Sequence, residues 1–187
     1  MQESYVMIEL GQAGLSNIPQ KAFTLVEFLT VLAMAAIFIA LAVPGYYGLI
    51  QNNKVVSVAN KLSASLGLAR MEAVKRGVRV SVCPAANAAF SACGSNAQWS
   101  QGWIVFIDAD NNNAIESSND LVKVAEALPG GTQISTSARI ISFDSTGFLT
   151  TGSTTLTLRA SGCTGNNARV ISIATSGRLS VATAACN

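Results

Sequence analysis

The chain has 187 residues, 50% of them apolar and 12% charged, with a formal charge of +2. That length suits one domain with an appended element, and the apolar share excludes a disordered chain. Histidine is absent, which excludes a Ser-His-Asp triad, a Cys-His dyad and any histidine-ligated metal site.

A mean hydropathy of +0.40 is high for a purely soluble domain, and the excess is concentrated near the N-terminus. Residues 1–20 are polar and contain Gly, Ser and Asn. Residues 23–43 form an apolar run whose only polar members are Thr24, Glu27 and Thr30. A helix of that length spans roughly 30 Å, the thickness of a bilayer core. Lys21, the nearest cation, fits an anchor whose N-terminus faces the cytoplasm. Glu27 is the anomaly, because a carboxylate in an apolar helix is costly unless paired. Two readings stand. Cleavage between Ala22 and Phe23 would create an amine that could pair with Glu27 of an adjacent subunit. Alternatively, Glu27 lies at the membrane interface and reaches water.

After Pro44-Gly45, a second helical pattern runs from about Tyr46 to Arg76. Val55, Val58, Leu62, Leu66, Ala69 and Ala73 recur at spacings of three and four, which marks a packed face. Arg76-Gly77 suits a helix end. The reading is one long helix, kinked at Pro44. From Val78 the pattern shortens to strands: Val78–Cys83, Trp103–Ile107, Leu121–Val124, Arg139–Phe143, Thr155–Arg159 and Ala168–Ile173. Asp110–Asn113, Pro129–Gly131, Ser145–Gly147 and Thr175–Gly177 read as turns between them. The fold class is α+β: a long N-terminal helix packed on antiparallel sheets.

Lys21-Ala22-Phe23-Thr24-Leu25-Val26-Glu27 resembles the type IV prepilin signature. Leu68-Ala69-Arg70-Met71-Glu72-Ala73-Val74-Lys75-Arg76 resembles the A-R-S-E-A-V-x-R helix end of the FimT/GspH family. Gln98 to Asp108 is similar to that family's W-x-x-G-W-x-V-F-x-D strand. Phe143 to Gly147 and Ser176-Gly177-Arg178 are similar to its later F-x-x-x-G and G-R turns. The resemblance implies a type IV pilin-like fold with three parts: a leader (1–22), a transmembrane and assembly half of the helix (23–44), and a periplasmic head (45–187). It also implies cleavage between Ala22 and Phe23 by prepilin peptidase and N-methylation of Phe23. Glu27 would become the fifth mature residue, and Pro44 would occupy the family's kink position. The family prefers Gly before the cut, where this chain has Ala22. Met1 and Met7 both offer a start.

The cysteines are Cys83, Cys93, Cys163 and Cys186. An even count in an exported domain argues for disulfides. Three pairings can be drawn. Cys83–Cys93 and Cys163–Cys186 are favoured because each pair brackets a polar loop next to a strand. Asp108, Asp110 and Asn112 place oxygen atoms at alternate positions, like the opening of a calcium loop. The loop has Asn113 where the sharp-turn Gly belongs and Asn119 where the closing Glu belongs. An Asp/Asn-rich hairpin turn explains it as well, and no metal or other cofactor is expected. Arg139, Arg159, Arg169 and Arg178 fall in the sheet region. Some FimT-type proteins bind DNA through a G-R-x-R motif. Here Gly177-Arg178-Leu179-Ser180 keeps only the first arginine, and Arg169 and Arg178 are the DNA candidates.

The resemblance implies an assembly protein and not an enzyme: a minor pilin acting at or near the tip of a type IV pilus. It would prime assembly or link tip components to the major pilin. The expected partners are the major pilin, other minor pilins, prepilin peptidase, the inner-membrane assembly platform, and lipid before assembly. The expected location is the bacterial inner membrane with the head in the periplasm, then the surface pilus. A minor pseudopilin of a type II secretion system and a DNA-binding pilin for uptake are the alternatives.

Overall fold

A computed structural model describes residues 23–186. The leader expected over 1–22, with Lys21, Ala22, Met1 and Met7, lies outside the described residues. The chain divides into two compact units, residues 1–41 and 42–187. One helix, α1 (Leu25–Arg76), contributes to both.

In the first unit, Thr24 precedes the helix and its Oγ1 accepts a hydrogen bond from Glu27 N at 3.2 Å. That is an N-cap, which satisfies one of the free amides of the first turn. Glu27 and Thr30 apart, the residues that follow are apolar on every side. Leu25–Ala42 has a mean hydropathy of 2.5 and none of it is buried. It is long and apolar enough to cross a membrane. Pro44 falls within the span of α1, and its side chain lies outside the described ones, as do those of residues 43, 45 and 47.

In the second unit, Val55, Val58, Leu62, Leu66, Ala69 and Ala73 are buried along one face of α1. This is the stripe predicted from their spacing. The helix ends where Gly77 takes a φ of 68° and its N–H reaches the Ala73 carbonyl at 2.9 Å. A left-handed residue after the last turn is glycine's usual place.

Eight strands follow: β1 (Val80–Pro84), β2 (Trp103–Ile107), β3 (Leu121–Ala125), β4 (Thr132–Ser135), β5 (Ile141–Phe143), β6 (Thr154–Ala160), β7 (Ala168–Ile173) and β8 (Leu179–Ala184). They form two four-stranded sheets, ordered β3-β2-β1-β5 and β4-β6-β7-β8. Every pairing is antiparallel. The main core joins the α1 stripe to Val80, Val82 and Val105 of the first sheet. From the second sheet it takes Leu156, Leu158, Ile171 and Ile173. Cys83, Ala85, Ile104 and Phe106 form a smaller cluster. β1 is therefore buried on both faces.

The structure corrects the expected strands in three places. β4 and β8 were not foreseen. Arg139 is not in a strand: β5 begins at Ile141, and the Arg139 Nε donates to the Gly94 carbonyl at 3.2 Å. Val78 and Arg79 precede β1, which starts at Val80.

Candidate functional site

Glu27 sits in the first turn of α1. There the unpaired amides and the helix dipole favour a carboxylate. The sequence singles it out as a carboxylate near the start of the apolar run, and α1 begins at Leu25, so Glu27 is its third residue. The Glu27 carbonyl accepts from Thr30 Oγ1 at 2.8 Å, and its side chain is exposed. Phe23, at 84% exposure, lies just ahead. An exposed carboxylate in the first turn of a bare apolar helix, four residues after the exposed Phe23, is suited to assembly.

The second unit carries its motif residues in three structural devices. The first is a clamp. Arg70 Nε donates to the Gly147 carbonyl at 3.0 Å, and Nη2 donates to the Ser176 carbonyl at 3.0 Å. One planar guanidinium thus holds two turns, 144–147 and 174–177, against the helix. A Cβ on Gly177, whose φ is +74°, would collide with the Gly147 carbonyl oxygen. The two turns are also tied directly, through Leu149 N to the Thr175 carbonyl at 2.8 Å. Asp144 builds the first turn. Its Oδ1 accepts from Thr146 Oγ1 at 2.6 Å, Thr146 N at 2.8 Å and Phe148 N at 3.0 Å. The Thr146 hydroxyl and these amides hold the Asp144 carboxyl below the usual aspartate range.

The second device surrounds the tryptophans. Trp99 and Trp103 are buried, and Trp99 Nε1 donates to the Ala138 carbonyl at 3.0 Å. Gly102, at φ +105°, lies so close to β3 that a Cβ would collide with the Ala125 carbonyl oxygen.

The third device is a buried polar network at the end of β2. Asp108 is 1% exposed. Its Oδ2 lies 3.3 Å from Arg79 Nε and accepts from Ser81 Oγ at 3.0 Å. Its Oδ1 accepts from Asn113 N at 3.2 Å. Ser142 Oγ lies 2.8 Å from Ser81 Oγ and accepts from Arg79 Nη2 at 2.9 Å. Arg79 supplies the counter-charge that burying a carboxylate requires.

This network bears on the calcium loop. Both Asp108 oxygens already face donors. Asp110 Oδ1 accepts from Asn112 N at 3.3 Å, and Asn112 Oδ1 accepts from Ala114 N at 2.8 Å. The oxygens are used to close a turn. Among the described residues no group of three or more Asp, Glu, Cys or His side chains is placed to hold a metal. The cysteines form two disulfides, Cys83–Cys93 and Cys163–Cys186, each with a Cα–Cα distance of 5.5 Å.

The structure does not bring the two DNA candidates into one patch of free cations. Arg169 is occupied, its Nη2 donating to Asn52 Oδ1 at 2.9 Å and its Nη1 to the Ala168 carbonyl at 2.9 Å. Arg178 is exposed. It lines an open, hydroxyl-rich depression with Ser137, Thr155, Ser172 and Ser180.

Residues 58–177, more than half of the chain, match the family model described as type II transport protein GspH. The chain belongs to the GspH family. The family segment contains the clamp, the tryptophans and the Asp108 network. Two crystal forms of the type IV minor pilin FimU of Pseudomonas aeruginosa have a similar fold. In space group P21 the TM-score is 0.55 at 19% identity, covering 70% of this chain and 89% of that one. In space group P65 the TM-score is 0.50 at 20% identity, covering 67% and 90%. A comparison with curated proteins gives no match. This GspH-family chain therefore has the type IV pilin fold and belongs with FimT/GspH-type minor pilins and pseudopilins. These are structural proteins that assemble with other pilins or pseudopilins.

Proposed function

We propose that this chain is a minor pilin of a type IV pilus, incorporated at or near the tip. There it primes assembly or links tip components to the major pilin. The observation that supports this most is the pairing of a pilin-type head with a helix whose Leu25–Ala42 span is wholly exposed. So much bare apolar surface calls for lipid or like helices around it.

In this reading residues 1–22 are the leader, 23–44 the membrane and assembly half, and 45–187 the head. Prepilin peptidase cuts between Ala22 and Phe23, and Phe23 is N-methylated. The chain waits in the inner membrane with its head in the periplasm, and the assembly platform then moves it into the surface fibre. Its neighbours are the major pilin and other minor pilins. Glu27 pairs with the amine of an adjacent subunit and sets register. The protein works by packing, with no catalytic step. DNA is a minor partner at most, since Arg178 stands without the second arginine of the motif.

The family description favours a second reading, a minor pseudopilin of a type II secretion system. One experiment separates the two. The gene is deleted, and surface fibres and secreted proteins are both measured. Restoration uses a tagged copy, and sheared fibres are searched by mass spectrometry for a chain beginning at methylated Phe23. Fibre loss with intact secretion, and the processed chain in fibres, is the expected result. Secretion loss with intact fibres transfers the protein to the secretion system.

A further inference from the structure

A groove of about 380 Å³ runs between α1 and the β3 side of the first sheet. Val58, Lys61 and Ser65 line it from the helix, and residues 123–129 line it from β3 and the chain beyond. Trp103 of β2 lines it as well. Its side chain is 1% exposed, and its Nε1 donor has no acceptor among the described residues. Trp99 shows the ordinary case, its Nε1 bonded to the Ala138 carbonyl. A buried donor without a partner is costly, and an acceptor brought by a ligand would recover that cost.

Two cations line the same groove. Lys123 stands opposite Val105 in the pairing of β3 with β2, and Val105 belongs to the core under α1. Side chains directly opposite share a face, so Lys123 is turned to the helix side, where Lys61 lies. Both lysines are exposed, and among the described residues neither ammonium has an ion-pair or hydrogen-bond partner. Glu126, the acid that lines the groove, pairs with neither of them. Two cations thus stand against one carboxylate. A lysine turned inward on an outer strand blunts that edge. That gives no reason for a second cation on α1, or for a bare donor in the same groove.

We propose that this groove binds an acidic segment of a partner polypeptide in extended form. The carboxylate of that segment lies between Lys61 and Lys123, and an acceptor of the same segment takes the Trp103 N–H. The length of the groove favours a polypeptide over a small anion. Val58 to Ser65 spans two turns of α1, roughly 10 Å, which an extended chain covers in about three residues. Val58, Ala125 and Leu128 offer apolar contact on either side of the charge. Residues 126–129 belong to no strand. A lip without a ladder opens more easily than a strand, and a small opening is what reaching a covered N–H requires. This inference does not depend on the pilus reading.

The chain has two tryptophans, so its two indole N–H signals report on the groove and on a control. The full chain, isotopically labelled at tryptophan nitrogen, is held in micelles of a non-ionic detergent and followed by NMR. Trp103→Phe assigns the signals. The probes are acetyl-Val-Glu-Val-amide, its glutamine counterpart and sodium acetate, each raised to about 10 mM, the weak end of measurable affinity. The glutamate peptide is expected to move the Trp103 proton downfield to saturation while Trp99 stays in place. The other two probes should bind at least about threefold more weakly, by loss of one exposed ion pair. Lys61→Gln and Lys123→Gln should each weaken the glutamate peptide by about two- to fivefold. Glu126→Gln should tighten it, and Lys75→Gln, at the far end of α1, should leave it unchanged. The Trp99 signal shows that each variant is folded. A Trp103 signal that does not move by about 10 mM overturns the proposal. So does equal binding of the glutamine peptide, or acetate binding as tightly as the glutamate peptide.

Discussion

Arg70 Nε donates to the carbonyl oxygen of Gly147 at 3.0 Å, across 77 residues of chain. The same guanidinium reaches Ser176, 106 residues away. Two turns that are distant in sequence are thereby fixed to one helix position.

Loss of that fork is expected to cost about 2–3 kcal/mol, since hydrogen bonds from a charged donor are stronger than neutral ones and two carbonyls lose their partner. Arg70→Ala should lower the urea midpoint accordingly. Arg70→Lys should recover only part, because an ammonium cannot reproduce the planar fork. Equal stability of all three chains would show that the clamp contributes nothing.

Gly177 and Gly165 make a matched pair. Both have positive φ, 74° and 62°. A Cβ at 177 meets backbone and the Arg70 side chain, whereas a Cβ at 165 meets open space. Gly165→Ala should cost about 1 kcal/mol of conformational strain. Gly177→Ala should cost clearly more, because the Gly147 carbonyl must also move. Thermal unfolding of the two variants side by side checks the ordering.

Asp144 sets an acid limit on the clamped turns. Its carboxyl is held below the usual aspartate range, chiefly by the Thr146 hydroxyl and then by backbone amides. A group with a depressed folded pKa contributes stability above its unfolded value, near pH 4, and loses it as pH falls through the folded value. Asp144→Asn should therefore flatten the acid limb of the stability profile below about pH 5, with little change in its slope near neutrality. A variant profile parallel to the wild type in that window would count against the turn as an acid-sensitive element.

Glu27→Ala should leave the chain in the membrane fraction, since the rest of Leu25–Ala42 is apolar, yet remove it from sheared fibres. Normal recovery of the variant in fibres would refute pairing of Glu27 with a neighbouring amine.

Replacing Cys163 and Cys186 together by Ser should lower stability by about 2–4 kcal/mol, the usual contribution of a bond that closes a loop of this length. Amide exchange should rise first in β8, which the bond secures. Unchanged protection of the β8 amides that bond to β7 would show that pairing with β7 alone is enough.

The α1 stripe was legible in the sequence because burial on one face leaves a period near 3.6 residues. Most strands of the core were legible as β-branched runs between turn residues. β8 was not, because most of its residues are exposed and no alternation is imposed on them. β4 is short, and Gln133 and Ser135 dilute its pattern. Arg70 was visible as a motif letter, but its partners are carbonyl oxygens, which have no sequence signature. Asp108 read as part of a loop until Arg79, 29 positions earlier in the numbering, proved to be its counter-charge.

β8 is fastened at both ends. Arg70 grips the turn that leads into it through Ser176, and the Cys163–Cys186 bond secures the residues that follow it. A strand with a loose end peels away one bond at a time under a pull. One anchored at both ends can begin to peel only after the Arg70 contact or the disulfide gives way, so this outer strand should fray later than its exposure alone suggests.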